Sequence, residues 1–540
     1  MTHSITSKYK GIAIFGAPGT GKTTVARLLL SEIPESNYIE TSHCVIYPVM
    51  AMKDYLPKEK RAFIRMLADR YGARMSFHAA RNDARAFSVY LKHAYAPSII
   101  AETLEAIHRN KFSKKFAVIA GTRGYANALH LKKRGYFVVY LETGGSHATR
   151  RVARRDRLST AAAHKERMIE ERIFSTSSVK KIAHISFDTG ALPKERIVAD
   201  IMARTFPREC ARCVNSNVNP ACHIGKSGLC DICERYARDF AKAPLKKEKR
   251  FLESLKGSGR GAYDALVGIS GGKDSTAVLY EVKKMGFRPL AFSLDTGYYP
   301  RHIFPRARRV AKQLSIPYKK IDARKYMRLS DVESFRKTAA LYGEKESDAL
   351  REKFRTWYAE DRRHYSIKCA HALPFVRTCQ LCRRMIIRAY YGEAIAHGVR
   401  LVILGINEWA GLSQNTSSKK FVFSAIRELK PFAHKPSVYV VHLPFLLGRT
   451  SKDTRAILKK IGWKIPPGES FIESNSNSCL FARAAESKAR RMLGFHPDAT
   501  RLAREVTVGF ITKKQAHAAL KKTHRSRHSV RTVLKRAGIL

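Results

Sequence analysis

At 540 residues the chain exceeds what one hydrophobic core organises, so two to four domains are expected. Its 44% hydrophobic and 27% charged content is ordinary for a folded domain protein, and no apolar run reaches the ~18–20 residues needed to cross a bilayer. Met1–Lys8 holds no apolar leader core, so the expected location is cytoplasmic. The net charge of +56 fits either a polyanionic partner, RNA foremost, or a proteome that runs basic throughout. Residues 1–209 hold 36 Lys+Arg against 18 Asp+Glu, leaving +38 to the other 331 residues, an even spread that favours neither. Six of the ten cysteines form CxxC pairs after residue 209, a spacing that suits metal sites better than disulfides where no secretion signal precedes it.

In chain order, Gly11–Phe15, Phe116–Ala120 and Tyr136–Leu141 are short buried strands separated by helical stretches, the rhythm of a parallel sheet covered by helices. A cysteine-rich segment breaks that rhythm, and residues 241–260 read as a linker or an exposed helix. Alternation resumes with Ala265–Ile269, Pro289–Leu294 and Leu401–Leu404, and the last fifty residues read as helical and basic. The expected fold class is α/β: two doubly wound parallel-sheet nucleotide-binding domains, at 1–207 and 241–490. A zinc-ribbon-like knuckle at 208–240 joins them, and a helical tail fills 491–540.

Gly16-Ala17-Pro18-Gly19-Thr20-Gly21-Lys22-Thr23 matches GxxxxGK[ST] between a strand and the helical run Thr24–Leu30, the context this phosphate-binding loop requires. Backbone N–H groups and the helix N-terminus cradle phosphates, Lys22 reaches the terminal ones and Thr23 ligates Mg²⁺. From here to about residue 205 the chain resembles the nucleoside-monophosphate kinase group of P-loop proteins, adenylate-kinase-like and dephospho-CoA-kinase-like members included. Ala120-Gly121-Thr122-Arg123 and the cluster Arg150, Arg151, Arg154, Arg155, Arg157 carry the likeness further. It implies a phosphate clamp of Arg123, Arg151 and Arg155; a solvated basic helix face is the competing reading. One position departs from the group. An acid is expected before Gly121 and Ala120 stands there, with Glu40 the nearest replacement. Nucleotide binding follows from the loop, whereas phosphoryl transfer needs an acid from elsewhere.

Cys210-Ala211-Arg212-Cys213 and Cys230-Asp231-Ile232-Cys233 give C-x2-C-x16-C-x2-C, a spacing that closes four thiolates around one structural Zn²⁺. Cys222 is spare or an alternative ligand, and His223 incidental.

Ser270-Gly271-Gly272-Lys273-Asp274-Ser275 follows the strand Ala265–Ile269 and opens the helix Thr276–Tyr280. This hexapeptide is identified as the PP-loop of the ATP-pyrophosphatase superfamily, whose domain is HUP-like. The resemblance implies that Ser270, Gly271, Gly272 and Ser275 wrap the pyrophosphate end of ATP. The catalytic pair is then Lys273, which neutralises the leaving group, and Asp274, which holds Mg²⁺. Attack at the α-phosphorus adenylates the substrate, and ammonia or a sulfur species then displaces AMP. Asp295 marks the strand end that approaches adenosine. Gly405 and Asn407 follow a later strand on the ligand-binding edge. Each of these could equally belong to an ordinary turn.

Cys379-Gln380-Leu381-Cys382 with Cys479 resembles the three-cysteine set of PP-loop tRNA thiolation enzymes, which holds a [4Fe–4S] cluster with one open iron. Reduced thiols or a partial zinc site compete with that reading, and Cys369 could join.

The stretch Cys210–Tyr236 and the late segment Ala503–Lys514 resemble the N-acetyl sugar amidotransferases of surface-polysaccharide synthesis. That likeness spans about 208–525 and implies a nucleotide-sugar substrate with ammonia from a separate glutaminase. The P-loop extension and the basic charge lie outside the pattern. They keep open a tRNA-modifying thiolase or amidase with a sulfur donor protein, and a nucleotide-regulated binding protein. ATP, Mg²⁺ and Zn²⁺ are the expected cofactors, with [4Fe–4S] under the tRNA reading.

Overall fold

The computed structural model describes residues 7, 9–40, 88–89, 92–93, 96–112, 115–360 and 368–540. Apart from Ser7, the N-terminal segment read as lacking a leader lies outside them. The chain divides into two compact units, Met1–Pro207 and Arg208–Leu540. No described helix is long and apolar enough to cross a membrane.

The first unit runs β1 (Gly11–Gly16), α1 (Lys22–Glu32), β2 (Ser36–Glu40), α2 (Ile99–Phe112), β3 (Phe116–Ala120), α3 (Tyr125–Lys133), β4 (Tyr136–Glu142), α4 (Gly145–Asp156), α5 (Thr160–Phe174), β5 (Ile185–Asp188) and α6 (Lys194–Thr205). Its five strands are ordered β2-β3-β1-β4-β5 and pair in parallel throughout. Helices cover both faces, so successive side chains of one strand enter different cores. Ile12 and Ile14 pack with Leu29 and Val139, while Ala13 and Phe15 pack with Leu104 and Ile119. That double burial is why β1 is apolar throughout.

The second unit contains α7 (Asp231–Asp239), α8 (Ala243–Ser254), β6 (Ala265–Gly268), α9 (Lys273–Lys284), β7 (Pro289–Asp295), α10 (Ile303–Gln313), β8 (Tyr318–Asp322), α11 (Leu329–Gly343), α12 (Asp348–Glu360), α13 (Thr378–Ala396) and β9 (Leu401–Leu404). A separate hairpin follows, β10 (Gly411–Gln414) with β11 (Phe421–Ser424), and then β12 (Ile426–Leu429) and β13 (Val438–His442). The chain then becomes helical, with α14 (Ser451–Lys460), α15 (Leu480–Leu493), α16 (Ala499–Thr507), α17 (Lys513–Lys521) and α18 (Val530–Arg536) besides two four-residue helical turns. The main sheet is ordered β12-β13-β9-β6-β7-β8, parallel except for the β12–β13 pair. From β6 the chain winds outward through β7 and β8, then returns to the other side of β6 as β9. The β6–β9 boundary is therefore the point where strand order reverses, and open α/β sheets bind ligands in the crevice outside the C-terminal strand ends at such a point. Of the two readings of 241–260, helix is observed: Leu245 and Leu252 bury into the core beneath α8.

Candidate functional sites

In the first unit the loop after β1 turns tightly at Gly16, Gly19 and Gly21, all with positive φ. A Cβ on Gly19 would sit 2.5 Å from the Ala148 carbonyl, which fixes glycine there by space as well as by φ. Lys22 folds back over the loop, its Nζ donating to the Gly16 and Ala17 carbonyls at 2.8 and 2.9 Å. A cavity of about 570 Å³ opens beside it. Lys22, Thr23, Glu40, Arg123, Arg151 and Arg155 all line this cavity. Within the arginine cluster, Arg151 reaches the Gly19 carbonyl (3.4 Å) and the Thr189 hydroxyl (3.3 Å), Arg155 pairs with Asp156, and Arg123 pairs with buried Glu170. All five arginines of the cluster are solvent-exposed, and of them Arg151 and Arg155 also line the cavity.

Glu40 is the last residue of β2 and stands in register with Ala120 of β3. A carboxylate thus stands one strand over from Ala120, at the same level of the sheet. Tyr38 meets the Glu40 carboxylate, and burial, followed by this bond, raises the phenol pKa so that it stays a donor.

In the second unit the SGGKDS loop links β6 to α9 at the strand-order reversal. Ser293 of β7 donates to the Ile269 carbonyl at 2.5 Å, and the Ser275 hydroxyl accepts from the Ser270 N–H at 3.1 Å. Gly271 has φ +69°, and a Cβ there would meet Arg306 Cγ at 2.6 Å. Gly405 lies against the helix start so closely that a Cβ would sit 2.8 Å from Asp274 C and Ser275 N. Two residues on, Asn407 is buried with its Oδ1 unpartnered, and Asp274 Oδ1 is also buried without a partner. Unpartnered buried oxygens at the mouth of a phosphate loop fit ligation of Mg²⁺ or of nucleotide donor groups. The Lys273 ammonium contacts Asp274 and lies 5.1 and 5.3 Å from the ring centroids of Phe471 and Phe510. Asp295 ends β7, accepts from the Gly297 N–H at 2.8 Å and pairs with Lys320 at 2.7 Å. Its carboxylate is therefore engaged within its own turn and edge strand.

Several residues here were not singled out from sequence. Trp463 donates to the Gly271 carbonyl at 3.1 Å. Arg449 is buried against Glu281; burial lowers its pKa to about 10, with the Asp274 charge acting in the opposite sense. Glu505 of α16 pairs with Arg501 at 2.6 Å. Burial raises its pKa, whereas the charges of Arg501 and Lys273 lower it. Arg504 binds Glu408, the residue after Asn407, at 2.7 Å. Only Glu505 and Arg504 carried a sequence signal, through the Ala503–Lys514 stretch, and that signal named no role.

The thiols of Cys210, Cys213, Cys230 and Cys233 are fully buried and lie within 4.8 Å of one another, a group that can hold a metal ion. A tetrahedral ion with ~2.3 Å bonds to sulfur sets thiolates about 3.8 Å apart, and Cys213 and Cys230 stand at 3.6 Å. Backbone N–H groups of Cys230 and Asn215 donate to the Cys210 and Cys213 sulfurs. Cys222 forms a second group with Cys230 and Asp231, and His223 joins neither. The knuckle braces α16: Cys233 meets the Thr507 hydroxyl at 3.1 Å and Arg212 donates to the Thr507 carbonyl at 2.7 Å.

Cys379, Cys382 and Cys479 do not gather to that spacing. Their surroundings are shared, however. Tyr298 contacts Cys382 at 2.6 Å, and Asn475 donates to Cys379 at 3.4 Å. Burial pushes Cys379 up to about 12 and Cys479 to about 11, so thiolate ligation there needs the positive charge of a bound metal or cluster. Cys369 is buried and gives its carbonyl to Arg384 at 3.4 Å.

No family model and no curated protein matches the chain. Similar solved structures include the shikimate kinase from Acinetobacter baumannii in complex with shikimate, at 17% identity over 36% of this chain and 90% of that one, TM-score 0.23. A gluconokinase from Sinorhizobium meliloti 1021 aligns at 16% identity over 37% and 93%, TM-score 0.23. NMN synthetase from Francisella tularensis aligns at 13% identity over 54% and 100%, TM-score 0.21.

Proposed function

We propose that the second unit is an ATP pyrophosphatase that adenylates a substrate oxygen. The observation that carries this is the SGGKDS loop lying between β6 and α9 at the reversal of strand order, with the unpartnered oxygens of Asp274 and Asn407 beside it. The acceptor oxygen attacks the α-phosphorus and pyrophosphate leaves with its bonding electrons. Lys273 and the α9 N-terminus offset the charge that develops on it, and Asp274 with Asn407 would hold a Mg²⁺, which would supply further positive charge to the leaving group. Ammonia or a sulfur nucleophile then displaces AMP. On the resemblance of residues 208–525, the acceptor is a nucleotide-sugar, as in N-acetyl sugar amidotransferases.

A second acceptor, tRNA, is favoured by the resemblance of Cys379-Gln380-Leu381-Cys382 with Cys479 to the three-cysteine set of PP-loop tRNA thiolation enzymes, which would hold a [4Fe–4S] cluster. In either case the four-cysteine knuckle holds a structural Zn²⁺ that stiffens the helix carrying Glu505. The first unit binds a second ATP at its P-loop, with Glu40 in place of the acid absent at position 120.

ATP–pyrophosphate exchange with bulk tRNA, and separately with nucleotide-sugars, tests the proposal. Exchange supported by one of them identifies the acceptor class, and absence of exchange with both contradicts adenylation of either. Iron and sulfide analysis of anaerobically purified protein tests the cluster, which a colourless, iron-free, active preparation removes.

A further inference from the structure

After Glu505 the last 35 residues contain no Asp or Glu, while they contain nine Lys and Arg. Two of these nine are neutralised locally, Lys513 by Glu209 at 2.7 Å and Lys522 by Glu473 at 2.8 Å. The other seven are solvent-exposed and, among the described residues, none lies in an ion pair. Such a row repels itself, and Arg531 with Lys535 repeats the like charge at i, i+4 on one helix face.

The row is not a loose tail. Helix α18 buries Val530, Val533 and Leu534, followed by Ala537 and Ile539, in a core shared with Tyr298, Phe335 and Phe481. It therefore displays Arg531, Lys535 and Arg536 outward from a fixed seat. That seat lies at the rim of the adenylation crevice. The Ala537 carbonyl would be 2.7 Å from a Cβ on Gly297, in the turn that ends β7 two residues after Asp295. Arg324, just past the end of β8, donates to the same carbonyl at 2.7 Å. Both contacts are at the C-terminal strand ends, the edge that also carries SGGKDS.

We propose that this basic row is an RNA-docking surface. Lys521, Arg525, Arg527, Arg531, Lys535 and Arg536 hold successive phosphates of an RNA whose acceptor base enters the crevice. The inference rests on the tRNA reading of the acceptor. RNA is favoured over other polyanions because one molecule then supplies both the phosphates that neutralise the row and the base oxygen to be adenylated at its end.

The test is binding of bulk tRNA to the full chain across a series of KCl concentrations, without turnover. In R527E/R531E/K535E, binding at about 0.1 M salt should weaken at least ~10-fold and the slope of log affinity against log salt should fall by roughly 2–3, near one per lost phosphate contact. Neutral R527Q/R531Q/K535Q should give an intermediate loss. A matched reversal at exposed lysines of α8, K246E/K247E/K249E, should change binding less than about 2-fold. MgATP affinity and Tm should stay at wild-type values in all three, so misfolding and failure of the adenylation reading are seen separately. Equal losses from the tail and α8 reversals would overturn the proposal, as would unchanged tRNA binding by the tail reversal. Tail-dependent binding to phosphatidylserine vesicles that displaces tRNA would overturn it in favour of a lipid surface.

Discussion

Gly405→Ala probes the joint between the two loops of the proposed adenylation site. The added methyl would lie 2.8 Å from Asp274 C and Ser275 N and 2.9 Å from Asp274 O, all backbone atoms. Ordinary contact begins near 3.4 Å, so the helix start must retreat by about 0.6 Å. Overpacking of this kind costs ~1–3 kcal/mol, which for a unit of this size lowers Tm by roughly 2–5 °C. A loss of nucleotide affinity should accompany the stability loss. The displaced atoms belong to the residue that would hold Mg²⁺, and a misplacement of ~1 Å at a reacting centre costs on the order of 100-fold. The shift here should lower MgATP affinity about 10-fold. Calorimetric titration in a Lys22→Ala background, which silences the P-loop, reads the second site alone. Gly343→Ala is the control, since nothing lies within 4 Å of its Cβ and its φ is not positive. Wild-type MgATP affinity in Gly405→Ala would refute the claim that the loop after β9 forms the wall of the nucleotide site.

Wild-type protein should bind two MgATP per chain, and Lys22→Ala and Lys273→Ala one each, read by equilibrium dialysis. Glu40→Gln should leave nucleotide affinity at the P-loop within about 3-fold while removing any phosphoryl transfer, followed as ADP release; transfer at the wild-type rate would show that the acid beside Ala120 is not used. Cys213→Ser should lose about one bound zinc per chain by elemental analysis and destabilise the second unit by several kcal/mol in denaturant unfolding; full zinc content in that variant would contradict a four-thiolate site. His442, whose Nδ1 lies 2.8 Å from the Glu408 carbonyl, is held neutral by burial, which takes its pKa from 6.5 to about 3. Between those values the unfolded chain binds the extra proton, so this residue adds stability at neutral pH that is lost as pH falls from about 6.5 toward 3. His442→Asn should flatten that part of the stability–pH curve, and an unchanged curve would assign the acid sensitivity elsewhere.

Both parallel sheets were legible from sequence because their central strands are buried on both faces and cannot alternate in polarity. Edge elements were harder to read. Strand β8 exposes Lys319 and Lys320, and the β10–β11 hairpin is largely solvated, so neither shows an apolar run. The strand–loop–helix placing of the two glycine-rich loops and the four-cysteine group were legible because each gathers its residues into a short stretch of fixed local geometry. The rest of the surroundings of the SGGKDS loop was not. Trp463 reaches Gly271 across 192 positions and Arg504 reaches Glu408 across 96, and no local pattern encodes contacts of that separation. The same separation hides the brace between Cys233 and Thr507, 274 residues apart, and with it the link from knuckle to crevice. Glu40 shows the intermediate case: its identity was visible, but its standing opposite Ala120 depends on the β2–β3 register.

The most direct test of adenylation follows the label of α-³²P-ATP in Lys22→Ala protein supplied with bulk tRNA or nucleotide-sugars. With ammonia or sulfide added as the nucleophile that displaces AMP, production of AMP matched by pyrophosphate, and abolished by Lys273→Ala, is the predicted result. Label recovered only as ADP, or AMP formation indifferent to Lys273, would contradict the assignment of the SGGKDS loop as an adenylation site.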